Sequence, residues 1–119
     1  MLRILPESKG NLVAVQASEK LTAEDYHDTW APALKAADDK HGSVRALLYA
    51  DETFKGWEAK ALWEDAKLGL TMGTDFDKVA IVGGPQWVDV LVEILGHLIK
   101  GAVKTFQSGD LDEAYDWIR

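Results

Sequence analysis

Cysteine is absent from this 119-residue chain, so disulfide bonds, thiol catalysis and cysteine-ligated metals are all excluded. No apolar run approaches the roughly 18 residues that a membrane-spanning helix needs. The N-terminal segment "MLRILPESKGNL" is too polar to be a secretory signal peptide. We therefore expect a soluble, cytoplasmic protein with no transmembrane segment.

Basic residues are in the minority, with 13 Lys and Arg against 20 Asp and Glu, which gives a formal net charge of −7. This balance disfavours non-specific nucleic-acid binding, because that binding depends on clustered Lys and Arg. The acidic residues are scattered and form no long tail of one sign, so we interpret the acidity as a contribution to solubility.

Motifs for catalysis are also missing. The chain has no G-x-S-x-G nucleophile turn and no Walker loop. Its three histidines, His27, His41 and His97, lack the spacing of a metal site and are most simply surface residues. We predict a protein that is not an enzyme and that needs no cofactor and no metal.

Apolar runs separated by turn residues predict the strands. Residues 11–18 form one such run, and the short "LRIL" before "ESKG" could pair with it as a hairpin. Residues 44–51 and 78–84 are almost continuously apolar, which is typical of parallel strands covered on both faces. A last strand is predicted within "AVKTFQSG".

Helical periodicity lies between these strands. The first helix spans residues 21–42, with Thr22 and Asp25 as a capping box, Pro32 as a kink or division, and Gly42 as its end. Two further helices follow Gly56 and Pro85, and a short fourth helix closes the chain with Asp110 and Glu113 as a second cap pair. The order predicts one α/β domain over residues 1–119, with a mixed, mostly parallel sheet of about five strands and four main helices.

Trp57 raises the main functional question. In a helical projection of the segment after Gly56, Trp63 lies on the apolar stripe and Trp57 on the opposite side. Trp57 therefore either folds over its own loop or borders a ligand pocket or a subunit contact. Because the loop follows a central strand, where open α/β sheets bind ligands, we predict a ligand site. It comprises Tyr49, Asp51, Phe54, Lys55, Gly56, Trp57, Gly84 and Trp87.

The helix predicted over residues 85–100 has an apolar arc too wide for one face of a sheet to cover. Either its own domain covers it on two sides or it forms a homodimer contact, and we favour the dimer because a small domain has few covering elements. The predicted interface residues are Trp87, Leu91, Ile94, Leu95 and Leu98.

Four segments in order resemble one family: "LTAEDY", "FKGWEAKALWED", "KVAIVGGPQWV" and "AVKTFQSGDLDEAYDWI". The chain looks like the SpoIIAA-like proteins, small bacterial domains related to the STAS and anti-sigma-factor-antagonist fold. The resemblance spans nearly the whole chain and implies a β-α superhelix with a mixed sheet, in agreement with the order of elements above.

The resemblance also implies candidate functions. Anti-sigma-factor antagonists carry a phosphorylatable Ser in the turn that corresponds to "DETFKGW". This chain keeps Asp51 and Gly56 but lacks that Ser, which leaves Thr53 as the candidate phosphorylation site. The first hypothesis is a non-catalytic regulatory or binding module that works through protein contacts, as a homodimer. The alternative, by analogy with SEC14-type domains, is a small-molecule or lipid-binding protein whose Lys55 meets an acidic head group.

Overall fold

The computed structural model describes residues 1–57, 76–83 and 101–119, and for residues 21, 23, 26, 27, 56 and 57 only the backbone. Its strands are β1 (Leu2–Ile4), β2 (Leu12–Ala17), β3 (Lys20–Leu21), β4 (Val44–Ala50), β5 (Gly56–Trp57), β6 (Phe76–Gly83) and β7 (Ala102–Phe106). Five of them form one sheet in the order β1-β2-β4-β6-β7. β1 runs antiparallel to β2, and the other neighbours are parallel. The predicted mixed sheet and its initial hairpin are confirmed.

The first predicted helix is divided into α1 (Ala23–Asp25), a π-helical turn (Tyr26–Trp30) and α2 (Ala31–His41). Pro32 lies in the first turn of α2 and explains the division. It has no amide hydrogen, and its ring would clash with the carbonyl four residues earlier, so a regular α-helix cannot run through it. The last helix, α3 (Leu111–Ile118), follows a 3₁₀ turn (Ser108–Asp110). The second and third predicted helices lie outside the described residues.

Local capping follows the sequence at two helix ends and departs from it at a third. The Thr22 amide donates to Asp25 Oδ2 at 3.0 Å, and the Asp25 amide donates to Thr22 Oγ1 at 3.1 Å, so the capping box is confirmed. Gly42 ends α2 with φ of 80°. The cap predicted at Asp110 is wrong, because its side chain makes no capping hydrogen bond. Its backbone completes the 3₁₀ turn and lacks the extended conformation of an N-cap.

The sheet is covered by a helix on each face, and side chains alternate between the two faces along the strands. The face toward α2 contains Val15, Leu48 and Ile81 packed with Leu34 and Ala37 of that helix. The face toward α3 contains the alternate residues, and its core residues are Leu12, Ala14, Leu47, Ala80, Val82, Ala114, Tyr115 and Ile118. No helix in the described part of the chain is both long and apolar enough to cross a membrane.

Cations from the sheet hold the C-terminal end of α3. Arg45 Nη1 donates to the Ile118 carbonyl at 3.0 Å, and Lys78 Nζ donates to the Trp117 carbonyl at 3.0 Å. These carbonyls have no partner within the helix, and the positive charges also complement the negative end of its dipole. The helix is therefore fixed to the sheet by electrostatic contacts as well as by its apolar face.

A side chain of α3 makes a further contact: the Tyr115 hydroxyl donates to Glu7 Oε2 at 3.1 Å and connects the helix to the turn after β1. Burial of the ring, together with the charge of Glu7 and the hydrogen bond to it, raises the pKa of Tyr115 to about 12. The phenol therefore remains a donor throughout the physiological pH range.

A β-bulge at Asp77 interrupts the pairing of β4 with β6. Val44 lies opposite Phe76, and Arg45 lies opposite Lys78, so Asp77 is the extra residue on β6. Its carboxylate lies 3.0 Å from Arg45 Nε. The carbonyls of Phe76 and Asp77 at this bulge also lie against Gly101, the residue before β7, where the structure leaves no room for a side chain.

Candidate functional site

A groove of about 690 Å³ opens at the carboxyl ends of the parallel strands, where the sequence predicts the ligand site. This volume lies within the roughly 300–1,000 Å³ range of small-molecule pockets. Strand ends and the loops that follow them provide its lining, which among the described residues comprises Gln16, Tyr49, Ala50, Asp51, Glu52, Thr53, Phe54, Ser108 and Gly109.

Asp51, the residue after β4, organises the loop that forms one wall of the groove. Its Oδ1 accepts hydrogen bonds from the Thr53 amide at 2.9 Å and the Thr53 hydroxyl at 2.6 Å. Its Oδ2 accepts from Gln16 Nε2 at 2.8 Å, and its carbonyl accepts from the Phe54 amide at 3.1 Å. The loop is therefore an Asx turn closed on a carboxylate whose two oxygens are held in place.

The hydrogen-bond network around Asp51 extends to strand β1 and to the turn after β2. On β1, Arg3 Nη2 donates to Gln16 Oε1 at 3.0 Å, which orients the Gln16 amide so that its nitrogen faces Asp51. In the turn after β2, the Glu19 amide donates to Thr53 Oγ1 at 3.2 Å, and the Glu19 carbonyl accepts from the Lys55 amide at 2.7 Å. The hydrogen bonds connect β1, β2 and the two loops into one framework around the groove.

Glu19 adopts the left-handed conformation, with φ of 55°, and is the only non-glycine residue with positive φ in the described part of the chain. A non-glycine residue in this region costs of order 1 kcal/mol and persists where its surroundings determine it. At Glu19 the surroundings are Thr53 and Lys55. The left-handed turn lets the Glu19 amide bond to Thr53 and the Glu19 carbonyl bond to Lys55.

The Asp51 carboxyl remains ionised in this setting. Burial raises its pKa, but the hydrogen bonds from the Thr53 hydroxyl, the Gln16 amide and the Thr53 amide outweigh that effect and lower the pKa below its ordinary value. Glu52, beside it, is exposed. The described lining thus contains two carboxylates and no Lys, Arg or His, which gives this part of the groove a negative charge at neutral pH.

Several predicted site residues meet at this groove. Tyr49, Asp51, Thr53 and Phe54 all line it. Lys55 is exposed and is not among the lining residues. The backbones of Gly56 and Trp57 form β5, which pairs with β3. The helical projection that includes Trp57 is wrong, because the Trp57 backbone is extended and pairs with Leu21 of β3. Where its side chain lies stays a prediction. Gly84 lies outside the described residues. So do the predicted interface residues, which are Trp87, Leu91, Ile94, Leu95 and Leu98.

Sequence reasoning missed the supporting Arg3 and five lining residues, which are Gln16, Ala50, Glu52, Ser108 and Gly109. One signal was available: Gln16 is the only strongly polar side chain inside the apolar run "LVAVQA" of β2. The D-x-T spacing of Asp51 and Thr53 is a second signal, because it is typical of an Asx turn.

The arrangement is suited to binding. Its described polar side chains are two carboxylates, one amide and three hydroxyl groups. The Thr53 hydroxyl donates to Asp51, and the described lining has no histidine or lysine to act as a base. Within residues 1–57, 76–83 and 101–119, no three His, Asp or Glu side chains lie close enough together to hold a metal ion.

Comparison with known proteins agrees with this architecture. The family model described as SpoIIAA-like matches residues 12–119. Four chains of solved structures match, among them an uncharacterized protein of the DUF3478 family from Shewanella loihica PV-4, which has a SpoIIAA-like fold. That protein is 31% identical, with a TM-score of 0.69 over 99% of this chain and 93% of its own. A comparison with curated proteins found no match. The chain therefore belongs to the SpoIIAA-like family.

Proposed function

We propose that this protein is a non-catalytic regulatory or binding module of the bacterial cytoplasm, and that it contacts a partner protein through the groove at the carboxyl ends of its strands. The observation that carries the proposal is the Asx turn at Asp51, held by Gln16 and Thr53 beside an open groove. A fixed polar wall lowers the cost of ordering the site when a partner binds.

Blocking the groove tests this function. Ser108 is exposed and lies on the groove wall, so Ser108→Trp places an indole in the opening with little effect on the core. Tagged wild-type protein should retain a partner from a lysate of its own host, and Ser108→Trp should lose it. The retained protein is identified by mass spectrometry and its binding is repeated with the purified partner.

Asp112→Trp is the matched control, because it adds the same indole at an exposed position of α3 that does not line the groove. Unchanged circular dichroism shows that both variants fold. Equal retention by Ser108→Trp and Asp112→Trp contradicts a role for the groove, as does the absence of any partner for the wild type.

A small-molecule or lipid-binding function is the second candidate, and the groove volume of about 690 Å³ favours it. The described lining is mostly polar, with aromatic rings from Tyr49 and Phe54, so it fits an amphipathic ligand better than a fully apolar one. Native mass spectrometry of protein purified from its own host should show a retained ligand if this candidate is correct, and the bare protein mass contradicts it.

We also propose that the protein is a homodimer whose contact includes the apolar arc predicted in the sequence 85–100. Sedimentation velocity at micromolar concentration should give the mass of a dimer, and Leu95→Lys should convert it to a monomer because it buries a charge in the contact. Ile4→Lys, at a position that is 40% exposed on β1, is the control and should leave the dimer intact. A monomeric wild type contradicts the proposal.

Phosphorylation of Thr53 stays a prediction. A phosphoryl group on its Oγ1 would remove the donor that bonds Asp51 at 2.6 Å and would place a second negative charge beside that carboxylate. The modification would therefore open the Asx turn, and intact-mass analysis of protein from its own host would detect it.

A further inference from the structure

We infer that the partner segment enters the groove with a cationic side chain, an arginine or a lysine, directed at the wall formed by Asp51 and Glu52. This inference rests on the proposed function and specifies the chemistry of the partner. The proposed occupant is an extended segment of another protein that carries a positive charge. Charge complementarity supports it, because the described lining of the groove contains two carboxylates and no cation.

The geometry of Asp51 supports a cation rather than a neutral donor. Its oxygens already accept from Thr53 and Gln16, and these bonds keep the carboxylate ionised and fixed in position. A carboxylate oxygen accepts about two hydrogen bonds, so Oδ1 is filled by the amide and hydroxyl of Thr53, whereas Oδ2 accepts from Gln16 and keeps capacity for one donor from the groove. A positive donor gains the charge-assisted hydrogen bond, which is roughly twice as strong as a neutral one.

The aromatic rings of the groove add a second reason. Tyr49 and Phe54 line the same space as the two carboxylates. Aromatic rings attract cations through their negative faces, and arginine also stacks on them through its planar guanidinium. A site that combines a fixed carboxylate with aromatic walls therefore favours arginine over lysine.

The net charge of the whole protein acts in the same direction. At −7, the chain attracts a basic partner segment and repels an acidic one during encounter. Carboxylates at the site disfavour an anionic lipid head group, whose charge they would repel. The described cationic groups near this network are Arg3, Lys55 and the N-terminal ammonium, and none of them lines the groove.

Titration of the full-length, ¹⁵N-labelled protein with a short blocked peptide, Gly-Arg-Gly, tests the inference by NMR. The same peptide with citrulline in place of arginine is the matched probe, because citrulline keeps the shape and loses the charge. We expect the arginine peptide to shift the amide signals of Thr53, Ser108 and Gly109 saturably at millimolar concentrations. The citrulline peptide should bind at least about threefold more weakly, as expected for a partly exposed ion pair.

Variants distinguish the local charge from the net charge. Glu52 is exposed, so Glu52→Lys reverses a charge at the groove without disturbing the core. It should weaken the arginine peptide at least about tenfold, because it replaces an attraction with a repulsion. Asp112→Lys makes the same change in net charge on the exposed side of α3 and should leave the affinity within about twofold.

Equal binding of the arginine and citrulline peptides overturns the inference. Equal weakening by Glu52→Lys and Asp112→Lys also overturns it, as does the absence of saturable shifts at the three groove amides. The inference and the proposed function can fail separately. If Ser108→Trp loses the partner and Glu52→Lys retains it, the proposed binding function is supported. The same result contradicts the inference that the partner inserts a cationic side chain.

Discussion

Replacing Gly101 with alanine is expected to lower the free energy of unfolding by about 2–3 kcal/mol. A Cβ at this position would lie much closer than 3.0 Å to the carbonyl oxygens of Phe76 and Asp77. Both oxygens belong to the backbone of β6, so they cannot rotate away as a flexible side chain could. Relief requires β7 to move away from β6, which weakens the parallel pairing that begins at Ala102 and Lys78.

Gly109→Ala is the matched control for this prediction. A Cβ built at Gly109 has no heavy atom within 4 Å, so the same added methyl meets open space. The control should change the unfolding free energy by less than about 1 kcal/mol. Urea denaturation followed by circular dichroism measures both variants, and an equal effect of the two substitutions would show that the contact with the bulge is unimportant.

Ile118→Ala is expected to cost about 2–4 kcal/mol although the residue is next to last in the sequence. Ile118 is 0% exposed and packs on the α3 face of the sheet with Leu47 and Ala80. Removing its side chain leaves a cavity in a layer that is held in place by Arg45 and Lys78, so the surrounding residues cannot easily close it.

Ile4→Ala provides the comparison, because it deletes the same atoms from a residue that is 40% exposed on the edge strand β1. We expect a loss below about 1 kcal/mol for Ile4. Both are measured by urea denaturation at equal protein concentration, because a dimer would make stability depend on concentration. Similar losses for the two isoleucines would contradict the account of α3 as part of the core.

The candidate site was predictable in part. Tyr49, Asp51, Thr53 and Phe54 follow a buried strand directly, so chain order alone places them at the carboxyl end of the sheet. Gln16 lies 35 residues from Asp51 in the sequence, and Ser108 and Gly109 are farther still, so only the strand order brings them to the same groove. Lys55, predicted from its proximity in sequence, is exposed outside the described lining.

The sequence by itself determined the features that depend on near neighbours along the chain. The five sheet strands follow from apolar runs, the start of the first helix from Thr22 and Asp25, its division from Pro32 and its end from Gly42. These features were accessible because each arises from hydrogen bonds and steric limits within a few residues.

Tertiary structure alone decided the features whose partners are distant in the sequence. The β3–β5 ladder, the bulge at Asp77, the close approach of Gly101 and the Arg3–Gln16–Asp51 network all need strands to be adjacent in a particular register. Register is set by packing on both faces of the sheet at once, and a single segment carries no record of which distant residue will lie opposite it.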